Sequence, residues 1–207
     1  MPVTLDKAYR LIRRDFRAPV TGDNMPVSAK GDRKKLLEIC NQLEYKRCAE
    51  IGVQRGFYSK NILRIIQGSK LWCVDPWTPY PYRTVTEARQ DQYYTETLSR
   101  LRPWLDEDRA VIVRKPSLEA VHDFEDDFFD FVYIDGDHIF DEVMRDLIEW
   151  HKKVRVGGMI ALHDYCPMRR GGVIFAVDAY TRAHSVVPWY QTREALPTAF
   201  WIKEKQE

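Results

Sequence analysis

The sequence predicts a three-layer α/β fold in which one mostly parallel sheet lies between two layers of helices. Short apolar segments alternate with amphipathic segments five times along the chain, as in β-α-β units with right-handed crossovers. The segment 131–138, FVYIDGDH, runs from four apolar residues directly into a polar cluster. A strand buried on both faces ends in this way at the carboxyl edge of a parallel sheet. The length of 207 residues suits one domain of this class.

Composition narrows the functional classes. Lys+Arg number 32 and Asp+Glu 31, for a net charge of +1, so overall charge gives no reason to expect nucleic acid or a membrane surface as partner. No apolar run approaches the ~20 residues of a membrane span, and the first residues lack the apolar segment of a signal peptide. The four cysteines form no C-x-x-C pair, which argues against a structural zinc site. We therefore expect a soluble cytoplasmic protein with no nucleic-acid or membrane partner.

Residues 1–31 differ in character from the rest of the chain. They contain apolar residues at helical spacing among arginines, which predicts an amphipathic helix. These apolar residues are Leu5, Tyr9, Ile12 and Phe16. Two roles are open for this N-terminal helical extension: a helix packed on the domain, or a lid or dimer arm over the active site. The main domain is expected to comprise residues 32–207. A homodimer with a second copy of the chain is the candidate protein assembly.

Helices and strands alternate from Asp32, which is suited to cap the first helix of the domain. Apolar residues at helical spacing predict the helices, for example Val143, Leu147 and Trp150. The predicted helices are 32–43, 57–66, 84–101, 117–124, 140–154 and 173–183. Short apolar runs predict the strands 47–52, 71–75, 110–114, 131–134 and 159–162. A turn is expected at the glycines 157–158, and 186–191 with 199–203 predict a final antiparallel hairpin.

A glycine-containing turn joins the first of these strands to the helix after it. The segment 50–59, EIGVQRGFYS, has the spacing G-x-x-x-G, which lets the backbone turn sharply and approach a ligand closely. It lacks the middle glycine of the dinucleotide fingerprint G-x-G-x-x-G. Asp75 ends the next strand, where a carboxylate can accept hydrogen bonds from ribose hydroxyls. Together these features favour an adenosine-containing cofactor, and they leave both NAD and other such cofactors open.

Acidic and imidazole side chains follow the fourth and fifth strands. Asp135, Asp137 and His138 end one strand, and His163 and Asp164 end the next, so the two groups should meet at one edge of the sheet. An imidazole with an ordinary pKa near ~6.5 suits proton abstraction at neutral pH. His138 is therefore the candidate base and Asp137 the second candidate. The alternative is that Asp137 caps the following helix and His138 lies in the turn.

Other titratable residues on the helices lie outside this cluster, and we expect them to face solvent. They are His122, His151, His184 and Asp146.

Four motifs together resemble the class I S-adenosylmethionine-dependent methyltransferases. They are 50–59 (EIGVQRGFYS), 74–77 (VDPW), 129–138 (FDFVYIDGDH) and 157–165 (GGMIALHDY). Within that class the chain is similar to small-molecule O-methyltransferases of the macrocin and aminocoumarin-sugar type. The resemblance implies a Rossmann-like sheet, S-adenosylmethionine as cofactor, and methylation of a hydroxyl on a sugar or natural-product type molecule.

The resemblance also implies roles for individual residues. The implied cofactor-binding residues are Glu50, Gly52, Gly56, Ser59, Asp75, Trp77, Ser117 and Asp135. Among these, Ser59 would bind the methionine carboxylate and Ser117 would lie beside the adenine. His138 would be the catalytic base, with Asp137 second. Asp135, His163 and Asp164 would hold Mg²⁺ or another divalent metal, although His163 departs from the all-oxygen set of the relatives.

Two alternatives are an NAD-dependent Rossmann-type oxidoreductase and a non-catalytic cofactor-binding module. The missing middle glycine and the lack of a Tyr-x-x-x-Lys pair count against the first, and the acidic and histidine cluster counts against the second. Two loops, 77–83 and 166–172, carry aromatic residues and arginines and are expected to contact the acceptor substrate.

Overall fold

The chain forms one eight-stranded sheet with helices on both faces in a computed structural model. The structure describes residues 5–19, 25–79, 85–168 and 171–205. The helices are α1 (Leu5–Phe16), α2 (Arg33–Gln42), α3 (Phe57–Ile65), α4 (Glu87–Asp106), α5 (Ser117–Ala120), α6 (Phe140–Lys153) and α7 (Gly172–Ala183). The strands are β1 (Val27–Ala29), β2 (Arg47–Ile51), β3 (Lys70–Val74), β4 (Ala110–Val113), β5 (Phe129–Ile134), β6 (Val154–Leu162), β7 (Tyr190–Thr192) and β8 (Ala199–Ile202).

The strand order is β1-β7-β8-β6-β5-β2-β3-β4. All neighbouring pairs are parallel except those of β8, which runs antiparallel to β6 and β7. The predicted α/β sheet with an antiparallel hairpin near its C-terminal end is therefore confirmed. From β2 the chain moves outward through β3 and β4, then returns to place β5 on the other side of β2. Such a reversal opens a crevice at the carboxyl ends of the strands, where open α/β sheets bind ligands.

Alternate residues of β5 serve two separate cores. Phe131 and Tyr133 pack with residues of α1, α2 and α3 on one face of the sheet. Val132 and Ile134 pack with residues of α6 and α7 on the other face. All six residues of β5 are buried, as expected of a central strand covered on both faces. Among the described helices, none has both the length and the apolar character needed to cross a bilayer.

The N-terminal segment contributes to the same fold. Ala8, Ile12 and Phe16 of α1 are fully buried in the core that also contains α2 and α3. Strand β1 forms the edge of the sheet through parallel pairing with β7. The division between 1–31 and 32–207, and a role as lid or dimer arm, stay predictions; the described part of this segment packs on the domain.

Three details of the predicted elements are wrong. Strand β1 was not predicted, because three residues carry too weak a local pattern and the pairing with β7 is distant in sequence. The turn expected at Gly157 and Gly158 lies inside β6, where Val154 already pairs with Phe129. Gly157 adopts φ +78 and so absorbs an irregularity without ending the strand. Helix α4 continues past Leu101 and through Pro103 to Asp106.

Helix α6 buries two polar side chains that were expected to face solvent. Asp146 and His151 are each 6% exposed, so that expectation is wrong. Residues 143, 146, 147, 150 and 151 form the buried face of α6, which is the i, i+3, i+4, i+7, i+8 stripe of an amphipathic helix. Burial disfavours the charged imidazole and lowers the pKa of His151 to about 4.

Candidate active site

A cavity of about 390 Å³ lies at the carboxyl ends of the central strands. Seven of the residues singled out from the sequence line it: Glu50, Gly52, Asp75, Asp135, His138, His163 and Asp164. The sheet topology brings these residues together, because β2, β5 and β6 are adjacent and parallel. Gly56, Ser59, Trp77, Ser117 and Asp137 are not among its lining residues. The loop residues 80–83 and 169–170, which were expected to contact substrate, lie outside the described residues.

Gly52 forms one wall of the cavity where β2 ends. Its φ is +87, and a Cβ at this position would lie 2.3 Å from the carbonyl oxygen of Asp135. Only glycine tolerates both the left-handed backbone and this close approach. The glycine therefore lets the end of β2 lie directly against the end of β5, which closes the floor of the cavity.

Asp75 is held rigidly at the cavity wall by backbone donors. Its Oδ2 accepts hydrogen bonds from the backbone N–H groups of Val53 at 3.0 Å and Gln54 at 2.9 Å. Its Oδ1 accepts one from the N–H of Trp77 at 2.7 Å. The indole of Trp77 is buried and donates to the carbonyl of Gln54 at 2.8 Å. Asp75 and Trp77 thus fix the glycine turn, and ribose binding by Asp75 stays a prediction.

Glu50 and Ser59 form a buried pair behind the same turn. Glu50 is 1% exposed and Ser59 is 0% exposed, and the hydroxyl of Ser59 donates to Oε2 of Glu50. Burial raises the pKa of Glu50 well above its ordinary value, although the Ser59 hydrogen bond opposes the shift. The Ser59 hydroxyl lies against this carboxyl group, and its predicted contact with a cofactor carboxylate stays a prediction.

Ser117 lies in a second buried network, next to α6. Its hydroxyl donates to Oδ1 of Asp146 at 2.5 Å and accepts from the indole N–H of Trp150 at 2.7 Å. Burial raises the pKa of Asp146 to about 7. A Cβ at Gly136, which lines the cavity, would lie 3.5 Å from Oδ2 of this carboxyl group. The predicted position of Ser117 beside the adenine stays a prediction.

His138 lies beside Asp164 at the reacting edge of the sheet. Its Nε2 is 2.6 Å from Oδ2 of Asp164. Burial opposes the charge of Asp164, but hydrogen bonds from His138 and His163 outweigh it and hold its pKa well below the ordinary range. Asp137 accepts from the backbone N–H groups of His138 at 2.6 Å and Ile139 at 2.9 Å. Asp137 therefore holds the start of α6, while His138 faces the cavity.

A glycine at the start of α7 limits the position of His138. A Cβ on Gly172 would lie 2.1 Å from the carbonyl oxygen of His138 and 2.9 Å from the backbone N of Phe140. Both neighbours are backbone atoms that cannot rotate away. Helix α7 therefore packs against the backbone of the candidate base with no room for a side chain. The sequence showed a glycine pair at 171–172, but no local signal related it to His138.

His163 contacts Arg33, a residue that the sequence did not single out. Its Nε2 is 2.6 Å from Nη1 of Arg33, and its Nδ1 is 3.4 Å from Asp135 and 3.1 Å from Asp164. Burial opposes the imidazolium, yet the hydrogen bonds and charges of the two carboxylates raise the pKa of His163 to about 9. A guanidinium can only donate, so the contact with Arg33 requires a neutral ring with the proton on Nδ1. We favour this neutral form, because Arg33 lies closest to the ring.

One cluster has the geometry of a metal site. Asp135, His138 and Asp164 each offer a ligand atom, and these atoms lie within 4.8 Å of one another. Oδ1 of Asp164 is buried and lies 3.1 Å from Nδ1 of His163. Two carboxylates and an imidazole suit Mn²⁺, Fe²⁺ or Zn²⁺ better than Mg²⁺, which prefers oxygen ligands. The set expected from the sequence, with His163 in place of His138, stays a prediction.

The chain matches the family model described as "Methyltransferase domain" over residues 49–165. No curated protein sequence matches it. Among solved structures, an O-methyltransferase from Bacillus cereus in complex with SAH has a TM-score of 0.61 at 12% identity, covering 97% of this chain and 92% of that one.

Two further structures share the fold. The N-methyltransferase NodS from Bradyrhizobium japonicum has a TM-score of 0.57 at 13% identity, covering 84% of this chain and 95% of that one. Spermidine synthase from Thermotoga maritima has a TM-score of 0.55 at 14% identity, covering 83% of this chain and 58% of that one. At these identities the structural matches establish the fold. The family match covers more than half of the chain and includes the cavity-lining ends of β2, β3, β5 and β6, so the chain belongs to the methyltransferase domain family.

Proposed function

We propose that this protein transfers the methyl group of S-adenosylmethionine to a hydroxyl of a small molecule, with His138 as the general base. The observation that carries the proposal is the 2.6 Å contact between Nε2 of His138 and Oδ2 of Asp164 in the cavity. Asp75, which also lines the cavity and is held by three backbone N–H groups, supports an adenosine cofactor. The family match supports methyl transfer over the NAD-dependent alternative.

The reaction requires a hydroxyl oxygen to attack the methyl carbon in line with the departing sulfur. The O–C bond forms, the C–S bond breaks, and its electron pair stays on the sulfur of S-adenosylhomocysteine. The hydroxyl proton passes to the imidazole of His138. Asp164 stabilises the resulting imidazolium, because it is a buried carboxylate in contact with the ring.

A divalent ion would supply a second route to an acidic hydroxyl, since a bound cation lowers the pKa of a coordinated oxygen. Asp135, His138 and Asp164 would hold it. An imidazole nitrogen that binds a metal ion cannot also accept a proton. One ring nitrogen of His138 can therefore serve either as a metal ligand or as the base, but not as both. The hydrogen bond to Asp164 leads us to propose the base.

The test is methyl transfer from labelled S-adenosylmethionine to a panel of sugars, catechols and phenols. His138→Ala should lower kcat by about 10²–10⁴-fold, while calorimetry should show unchanged affinity for S-adenosylhomocysteine. His122→Ala is the matched control, because His122 is exposed. Unchanged turnover in His138→Ala would remove this residue as the base, and failure of the wild-type protein to bind S-adenosylhomocysteine would overturn the proposed function.

A further inference from the structure

Arg33 occupies an unusual position beside the cofactor cavity. It is the first residue of α2, and its backbone N–H donates to Oε1 of Glu194 at 2.9 Å. Its guanidinium lies 5.4 Å from the ring centre of Tyr58 and contacts His163. The side chain is 37% exposed to solvent and lines the cavity. Arg33 therefore presents a positive charge to the cavity from a well-anchored backbone.

The walls of this cavity are otherwise strongly acidic. Three carboxylates line it, Asp75, Asp135 and Asp164, together with the buried carboxyl group of Glu50, whose pKa is raised by burial. Its described lining residues include two arginines, Arg33 and Arg55. The guanidinium of Arg55 is paired with Glu96 at 2.5 Å and lies over the ring of Phe57, so its charge is compensated at the rim. The carboxylate nearest to Arg33, that of Glu194, is 3.7 Å from Nε, which leaves the charge of Arg33 less fully compensated.

The start of α3 lies next to Arg33. The hydroxyl of Tyr58, the second residue of α3, donates to the carbonyl of Arg33 at 3.3 Å. Gly56 precedes α3 and offers no side chain to cap its first N–H groups. The N-terminus of a helix attracts anions, and a guanidinium binds a carboxylate through two parallel hydrogen bonds. The start of α3, where Phe57 lines the cavity, and the guanidinium of Arg33 are thus two features of the cavity wall that favour an anionic group.

We propose that Arg33 binds the carboxylate of the methionine part of S-adenosylmethionine, and that it makes the site selective for the intact amino acid over a decarboxylated cofactor. This inference rests on the proposed function. A carboxylate in a cavity lined by Asp75, Asp135 and Asp164 needs a cation. Arg33 meets this need from the cavity wall.

The test compares two ligands that differ only in this carboxylate: S-adenosylhomocysteine and 5′-deoxy-5′-(3-aminopropylthio)adenosine. Calorimetry on the wild-type protein should show S-adenosylhomocysteine binding about ten- to a hundredfold more tightly, as expected for a charged hydrogen-bonded pair. Arg33→Gln should reduce this preference to about threefold or less by weakening S-adenosylhomocysteine alone. Arg33→Lys should keep part of the preference, and Arg64→Gln, the control at an exposed arginine that does not line the cavity, should keep all of it.

Each contrary result has a distinct meaning. Equal weakening of both ligands in Arg33→Gln would make Arg33 a support for the pocket and overturn the proposal. An unchanged preference in Arg33→Gln would also overturn it. Absence of S-adenosylhomocysteine binding to the wild-type protein would overturn the proposed function and this inference together, whereas binding without the preference would overturn the inference alone.

Discussion

Replacing Gly172 by alanine tests how strictly α7 limits the position of His138. The new Cβ would lie 2.1 Å from the carbonyl oxygen of His138 and 3.1 Å from its carbonyl carbon. The shorter distance is more than ~1 Å below the optimum of about 3.5 Å for non-bonded atoms. The backbone at His138 or the start of α7 must therefore move by a distance of that order.

A displacement of about 1 Å at a catalytic group costs about 10²-fold in rate. We expect kcat of Gly172→Ala to fall by about this factor, with little change in the affinity for S-adenosylhomocysteine. Overpacking should also cost about 1–3 kcal/mol of stability, which for a chain of this size lowers Tm by roughly 2–4 °C per kcal/mol. The assays are steady-state kinetics on an accepted hydroxyl substrate, calorimetry and thermal unfolding.

Gly68→Ala is the control for a general loss of stability. Gly68 adopts φ +66, so alanine there is strained, but the nearest atom to its Cβ is the flexible Lys46 Nζ at 3.4 Å. This variant should lose stability and keep kcat. A folded Gly172→Ala protein with wild-type turnover would refute the reasoning, and a parallel loss of cofactor affinity would show a general collapse of the cavity instead of a shift of His138.

Two further predictions concern pH and metal removal. Burial raises the pKa of Asp146 to about 7, so the folded protein holds a proton that the unfolded chain releases near pH ~4. The contribution of Asp146 to the free energy of unfolding is present at low pH and is lost as pH rises through about 7. In urea unfolding, Asp146→Asn should lack this part of the decrease in the free energy of unfolding that the wild-type protein shows. An identical pH dependence in the two proteins would contradict the assignment. Because His138 is proposed to act as a base without a metal, turnover should persist in excess EDTA. Loss of turnover that Mn²⁺ restores, with bound metal detected by emission spectroscopy, would instead show that the reaction needs a divalent metal.

The central part of the site could be predicted because its signals are local. The run from Phe131 to Ile134 and the polar residues after it identify both a buried strand and its carboxyl end. Parallel strands then bring Asp135 near Asp164 whatever the side-chain packing. The same logic placed Glu50, Gly52 and Asp75 on the cavity, since each ends or follows a strand.

Features that depend on distant packing could not be found in this way. Arg33 is 130 residues from His163, and the close approach of Gly172 to His138 requires the packing of α7 beside α6. The burial of Asp146 and His151 is a different case. Both positions fall on the apolar stripe defined by Val143, Leu147 and Trp150. The helical period therefore predicts their burial, even though their side chains are polar.

The pairing of β1 with β7 has a consequence for synthesis of the chain. Glu194 lies 161 residues after Arg33 and receives its backbone hydrogen bond, and Arg193 donates to the hydroxyl of Ser28 at 2.8 Å. During translation the strand before Arg33 has no partner until residues near the C-terminal end of the described chain have left the ribosome. The cofactor cavity is therefore completed late, after the central strands β2, β3 and β5 have had time to associate. A nascent chain would form its central strands before Glu194 is available to anchor the backbone of Arg33, the residue that we assign to cofactor selection.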